Sequence, residues 1–295
     1  MPEAPEVHHV VQYLQRHLAN QQIVQAIVTY PPLIDNMPAQ NFCQQIQGQH
    51  FRQFKRLGKY IILELDDYTF VSHLRMEGKF LIVSSREEFE QLDQVRDRKH
   101  IHAQFVLEDG RIVCYKDTRK FGRMSLWPQQ DDLHHLKPLS KVGKDVLDPT
   151  LCAQDLLKKA SQRTIPLKTF LLDQSVIAGI GNIYADEILF ATRLSPYCMP
   201  CDLSKKDMQN IIEATRSILM HAIEAGGTTI LSFSYGSNHT GSFQNQLQVH
   251  GQKGNCPICG HEIEHQKING RTTYFCPHCQ KLKKKRSRKN NPIKE

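Results

Sequence analysis

The chain has 295 residues, 40% hydrophobic and 23% charged, long enough for two domains with their own cores and too balanced for wholesale disorder. No apolar run approaches the roughly 18 residues of a membrane span, and the start, Met1-Pro2-Glu3-Ala4-Pro5-Glu6, lacks the basic and apolar regions of an export signal, so the expected compartment is the cytoplasm. The formal net charge of +8 lies almost wholly in residues 281–295, which hold eight Lys or Arg against one Glu and leave 30 bases and 29 acids elsewhere; that tail reads as a solvated tether, so the case for an anionic partner rests on particular residues of the body.

In chain order, Val7, Val10, Val11, Leu14 and Leu18 recur at helical spacing over 5–19, predicting an amphipathic helix after a short free N-terminus. From 22 to 127 the period becomes that of strands. Tyr60–Leu65 and Thr69–Leu74 flank Asp66-Asp67-Tyr68, and Ile101–Leu107 and Arg111–Tyr115 flank Glu108-Asp109-Gly110. Both read as hairpins of a β sandwich or barrel with one or two helices. Pro128–Pro138 is polar and reads as a linker. From about 144 the pattern is helical, with a helix over 181–192 and another over 204–224, whose stripe of Met208, Ile211, Ile212, Leu219, Ala222 and Ile223 ends at Gly226-Gly227. A polar stretch over 230–247 precedes a cysteine-rich hairpin.

Nine cysteines without an export signal argue against structural disulfides. Cys256-Pro-Ile-Cys259 is followed sixteen residues later by Cys276-Pro-His-Cys279. Two such knuckles supply four thiolates to a tetrahedral zinc, with no open position for catalysis. Between them Asn269-Gly270 marks a hairpin turn. Cys198-Met-Pro-Cys201 has no partner pair and reads as two thiols; Cys43, Cys114 and Cys152 read as small apolar positions.

Four further runs carry candidate chemistry. Removal of Met1 would leave Pro2 as a secondary amine, able to attack a carbon at the aldehyde oxidation level, with Glu3 and Glu6 one turn away for acid–base work. Taken alone, the same run reads as ordinary helix capping. The run His73-Leu74-Arg75-Met76-Glu77-Gly78-Lys79 follows a strand, where Met76 reads equally as core filling. Asp117-Thr118-Arg119-Lys120-Phe121-Gly122 mixes cations with one ring, the composition of a loop that contacts phosphates and a base stack, or of a solvated turn. Gly179-Ile180-Gly181-Asn182 precedes a helix N-terminus open to a phosphate.

Together these runs resemble the bacterial formamidopyrimidine-DNA glycosylase family, also called 8-oxoguanine DNA glycosylases. The resemblance runs from Pro2 to about Gln280. It is carried by PEAPEV at 2–7, GKYIILEL at 58–65, HLRMEGKF at 73–80, DTRKFG at 117–122, LLDQSVIAGIGNIYADEILF at 171–190, GGTT at 226–229 and GRTTYFCPHCQ at 270–280. It implies an α+β multidomain protein: a catalytic β-sandwich domain over 1–130, a linker over 131–143, a helix–two-turns–helix domain over 144–245, a four-cysteine zinc finger over 246–280 and a basic tail over 281–295. DNA would lie in the cleft between the domains. The implied activity is removal of oxidised purines from double-stranded DNA, then β,δ-elimination at the abasic site. The implied ion is one structural Zn2+, and the implied setting is a bacterial, nucleoid-associated monomer.

By position, the resemblance makes Pro2 the nucleophile and Glu3 the acid–base residue, with Glu6 in support. Lys59 and Arg271 would contact phosphate and assist elimination. His73 and Asn182 would complete the phosphate clamp. Met76, Arg119 and Phe121 would fill the gap left by the flipped base, His100 and Arg163 would contact DNA, and Glu77 and the 228–245 loop would lie near the lesion. A flipped base costs a few kcal/mol of stacking and pairing, which such wedges offset. The chain departs from the family pattern at Ala4, where Leu is usual, at Arg163, where Lys is common, over 230–243, and in its longer tail. The sister endonuclease VIII type, which excises oxidised pyrimidines, lacks the HLRMEGKF and TRKFG runs. A non-catalytic lesion-binding protein would have no use for Pro2, Glu3 and Lys59 together.

Overall fold

The structure is a computed structural model that describes residues 1–228 and 241–283. The expected lesion loop falls mainly on 229–240, and the tail mainly on 284–295; both stretches lie outside the described residues. The chain forms two compact units, Met1–Val142 with Leu219–Gln246, and Gly143–Ile218 with Leu247–Glu295. The unit boundaries therefore follow contacts and cut across the motif-based division at 130, 143 and 245.

In the first unit, α1 (Ala4–Leu18) buries Ala4, Val7, Val10, Val11, Leu14 and Leu18 on one face, as its periodicity predicts. The expected free N-terminus is corrected: Met1 is exposed, but Pro2 and Glu3 are buried. Two four-stranded antiparallel sheets follow. One orders β1 (Ile23–Val28), β6 (Ile101–Leu107), β7 (Ile112–Lys116) and β5 (Lys79–Val83) side by side. The other orders β2 (Gln53–Leu57), β3 (Tyr60–Glu64), β4 (Tyr68–His73) and β8 (Arg123–Pro128). The two sequence-predicted hairpins are β3–β4 and β6–β7. Helices α2 (Ala39–Ile46) and α3 (Arg86–Gln91) complete the unit.

Its main core joins Leu14, Phe42, Phe70, Phe105 and Leu126 from helices and both sheets. Each such side chain contributes about 1.5–3 kcal/mol by leaving water. The stretch expected as a linker is no free tether. Leu136 and Leu139 are fully buried and pack on Ile62 and Val71 of the second sheet. Two leucines in a polar stretch carry no periodicity, so the sequence hides this docking.

The second unit contains α4 (Ala153–Ala160), α5 (Leu167–Leu172), α6 (Asn182–Ala191) and the hairpin of β9 (Glu264–Ile268) and β10 (Arg271–Phe275). Helix α7 (Lys205–Glu224) begins in this unit and ends in the first. Asn269 and Gly270, both at positive φ, make the two-residue turn between β9 and β10, the backbone that an Asn-Gly hairpin turn requires. Among the described residues no disulfide forms; Cys198 is buried and Cys201 half-buried, both as thiols.

Candidate active site

Sheet register builds the first cluster. The two-residue connection Gly58-Lys59 joins β2 to β3, with Gly58 at φ 58°. Tyr60, the next residue, pairs with His73 at the end of β4. Lys59 and His73 are thereby brought to the same sheet end, and both are buried. The His73 ring stands edge-on to Tyr60, with centroids 4.6 Å apart. Its Nδ1 accepts the Arg75 backbone N–H at 3.0 Å, so the proton of the neutral ring sits on Nε2, which remains a donor. Burial, then the charges of Arg75 and Lys59, push the His73 pKa down to about 3. The ring is neutral at physiological pH.

The start of the chain joins this cluster. The α-amine of Met1 feels the charges of Glu3, Glu6, Lys59 and Glu77, and burial, the largest influence on it, lowers its pKa. Glu6 is buried and fixes two segments. Its Oε2 accepts the Glu3 N–H at 2.8 Å and its Oε1 accepts the Thr228 N–H at 2.7 Å. Gly227, at φ +85°, passes so close that a Cβ there would lie 3.1 Å from Glu6 Oε1. Glu6 thus ties the start of α1 to the Thr228 segment.

Two loops of the first unit present the exposed apolar groups. Met76 is 42% exposed and Phe121 47%. The Arg119 guanidinium lies over the Phe121 ring, 4.8 Å from its centre. Asp117 is buried and ties this loop, accepting the Arg119 N–H at 3.0 Å and the Gly122 N–H at 2.8 Å. The carbonyl of His100 accepts the Asp117 N–H at 2.9 Å. Thr118 Oγ1 donates to Glu77 Oε2, linking the two loops directly.

The second unit holds its own cluster. Asn182 opens α6 after Gly181, and its Nδ2 donates to the Thr272 carbonyl at 3.1 Å. The buried Lys168 ammonium donates to the same carbonyl at 3.1 Å and lies 2.7 Å from Asp186 Oδ1. Asp186 Oδ2 in turn contacts His250 Nδ1 at 2.7 Å. Glu187 accepts the backbone N–H groups of Gln248, Val249 and His250 at 2.8–3.0 Å. Two of these bonds end on the Thr272 carbonyl, next in sequence to Arg271, the exposed first residue of β10. Arg163 pairs with Asp173 at 2.5 Å and is partly exposed.

The four cysteines of the knuckles lie together, their sulfurs within 4.8 Å of one another. The Cys256–Cys279 and Cys259–Cys276 sulfur separations are 3.8 and 3.5 Å. A tetrahedral zinc with bonds of about 2.3 Å requires sulfurs roughly 3.8 Å apart, so the residues present fit the ion.

The sequence assigned no role to Lys168, Asp186, Glu187 or Tyr115, nor to Asp117 within its quoted run. The first three lay inside or beside the quoted run 171–190, but their partners at 248–250 and 272 are distant in sequence. A charged residue among apolar helix positions, such as Lys168 between Leu167 and Phe170, was the available signal.

Comparison with known proteins gives three family matches: the formamidopyrimidine-DNA glycosylase N-terminal domain over residues 1–124, the formamidopyrimidine-DNA glycosylase H2TH domain over 142–234, and the zinc finger found in FPG and IleRS over 255–282. A formamidopyrimidine-DNA glycosylase of Mycoplasma genitalium is 40% identical, with 99% of this chain and 100% of that protein covered. One from Listeria innocua is 38% identical, with 95% and 100% covered. Among solved structures, a Lactococcus lactis FPG mutant in complex with Fapy-dG-containing DNA matches at TM-score 0.84 and 33% identity, covering 95% of this chain and 99% of that one. The complex of L. lactis Fpg with abasic-site DNA matches at TM-score 0.83 and 33% identity, covering 94% and 99%.

Proposed function

The chain belongs to the formamidopyrimidine-DNA glycosylase family, and from that premise we propose how its residues act on damaged DNA. It is a base-excision-repair DNA glycosylase with AP lyase activity. Its substrates are duplexes carrying 8-oxoguanine or a formamidopyrimidine, and abasic sites. One structural zinc is held by Cys256, Cys259, Cys276 and Cys279, where it supplies only the fixed geometry of the β9–β10 hairpin.

The observation that carries the mechanism is the setting of the N-terminus, an amine among Glu3, Glu6, Lys59 and Glu77 beside a buried Pro2. With Met1 attached, the Pro2 nitrogen is an amide and no nucleophile. With Met1 removed it is a secondary amine, and the ordinary α-amino pKa of roughly 7.7–8.0 leaves a useful fraction unprotonated near neutrality. That nitrogen attacks C1′ of the flipped nucleotide. The glycosidic C1′–N bond breaks and the base leaves with its electron pair and the proton given up by the Pro2 nitrogen. Glu3 protonates O4′, the ring opens, and the nitrogen lone pair completes an iminium at C1′. Loss of a C2′ proton expels the 3′ phosphate, loss of a C4′ proton expels the 5′ phosphate, and water hydrolyses the iminium to free Pro2.

Lys59 and neutral His73, with its Nε2–H, donate to phosphate from the first unit. Asn182 and Arg271 donate from the second, with Arg163 and His100 as flanking contacts. Met76, Arg119 and Phe121 occupy the vacated stack, and Glu77 stands near the lesion. We place the protein in the cytoplasm as a monomer; no helix among the described residues is long and apolar enough to cross a membrane. The motif-based domain division serves as the working division for truncation.

Borohydride trapping tests the reading, using an 8-oxoguanine:cytosine duplex with a thymine glycol duplex alongside and intact mass to report Met1. A covalent adduct on the first duplex, from protein lacking Met1, is expected, and Pro2→Gly should greatly reduce it. Undiminished trapping by that variant would remove Pro2 from the mechanism.

A further inference from the structure

We propose that Tyr115 is a positioning residue for base extrusion: its hydroxyl is the common stop against which the Met76 loop and the Arg119–Phe121 loop are both set. The inference rests on the reading that these loops fill the vacated stack, and it adds what fixes their depth.

Tyr115 lies on β7 and is fully buried. Its oxygen has no hydrogen-bond partner among the described residues, and leaving a buried hydroxyl unpaired is destabilising. Burial, then the Asp117 charge, push its pKa up, so the group stays a neutral phenol. A phenylalanine would fill the same apolar space without that penalty, so packing alone does not account for the oxygen.

What the oxygen touches does account for it. A Cβ at Gly78 would overlap it, and so would a Cβ at Gly122. Neither glycine sits at positive φ, so backbone conformation does not demand them. Room for the end of the Tyr115 ring does: its oxygen is the nearest atom to either Cβ, with Cζ behind it at 2.8–2.9 Å, and at Gly78 the Leu74 carbonyl at 2.6 Å adds to the exclusion. Gly78 closes the turn that carries Met76, its N–H bonded to the Leu74 carbonyl at 3.0 Å. Gly122 follows Phe121 directly, its N–H bonded to Asp117 at 2.8 Å. The two wedges thus stand one and two residues from a single rigid atom, and Thr118–Glu77 ties them across the top. A shift of the ring moves both wedges together.

The test separates extrusion from later chemistry. Single-turnover base release from an 8-oxoguanine:cytosine duplex needs a base pulled from the stack; strand cleavage at a preformed abasic site does not. Tyr115→Phe should melt no lower than the parent, lose about ten- to a hundredfold in base release, as small misplacements do, and cleave abasic DNA within about twofold of the parent rate. Gly122→Ala should lose more, and Gly122→Ala/Tyr115→Phe should recover part of the loss because the overlapping oxygen is gone. A 2-aminopurine beside the lesion should report shallower insertion in each single variant. Parental base release in Tyr115→Phe, an equal fall in both activities, or no recovery in a folded double variant would each overturn the proposal. A parent protein that releases no oxidised purine would instead sink the functional reading beneath it.

Discussion

The Pro2 centre stands on a deep apolar core, whereas the strand that carries Arg271 stands on a metal and a buried ion pair. The first is anchored by α1 and two sheets that bury Leu14, Phe42, Phe70 and Phe105. The second has a small apolar set, Phe190, Val249, Ile263 and the zinc cysteines, supplemented by Lys168–Asp186–His250 and by Glu187. A finger confined to residues 255–282 cannot bury enough surface to hold an arginine in place, so coordination and buried charge do it instead. Sensitivity should differ accordingly: the first region should yield gradually to lost methylenes, the second abruptly to a lost ligand or charge.

The largest effect should come from the metal. Structural zinc contributes on the order of 10 kcal/mol to folding its own segment. Cys276→Ala should therefore lose zinc and duplex binding together while circular dichroism of the β-sandwich persists. Full binding by a zinc-free protein in gel shifts would break the comparison. Next, Lys168→Met leaves the buried Asp186 carboxylate with His250 and the Tyr274 N–H but without its ammonium partner, and should destabilise the second unit by about 3–5 kcal/mol. Lys168→Met/Asp186→Leu should regain much of it in denaturant titrations. Leu14→Ala, in the first unit, should cost about 3 kcal/mol by cavity formation yet retain a full complement of zinc by mass spectrometry.

The smallest effect is a pH dependence. Unfolded His73 binds a proton below pH 6.5, but the folded ring resists protonation down to about 3. Stability is fully present above 6.5 and falls as the pH drops through that window. The loss should reach about 2 kcal/mol by pH 5. His73→Gln should flatten this part of the profile; an unchanged acid slope would show that other groups dominate.

What the sequence displayed and what it hid follow one division. Features fixed by local spacing were legible: the cysteine knuckles, the Asn269-Gly270 turn, the stripe of α1, the Gly226-Gly227 stop. The placement of Lys59 beside His73 needed only one hairpin register, and the family resemblance supplied roles for both. Contacts set by distant packing were not legible. Lys168 meets Asp186 eighteen residues on, and Asp186 meets His250 sixty-four residues further. Leu136 and Leu139 dock on a sheet from a stretch whose composition suggests a tether. The buried Pro2 and Glu3 belong to this class too, because exposure at a chain end depends on what folds over it.

Pro2 lies buried while Met1 is exposed, and on the proposed mechanism this makes the protein a zymogen of a single residue. A copy that retains Met1 would carry its nucleophile blocked as an amide, and removal of that one residue would arm it. A tag or leader fused ahead of Pro2 would leave fold, zinc and DNA affinity in place and produce a lesion binder that shields damage from repair.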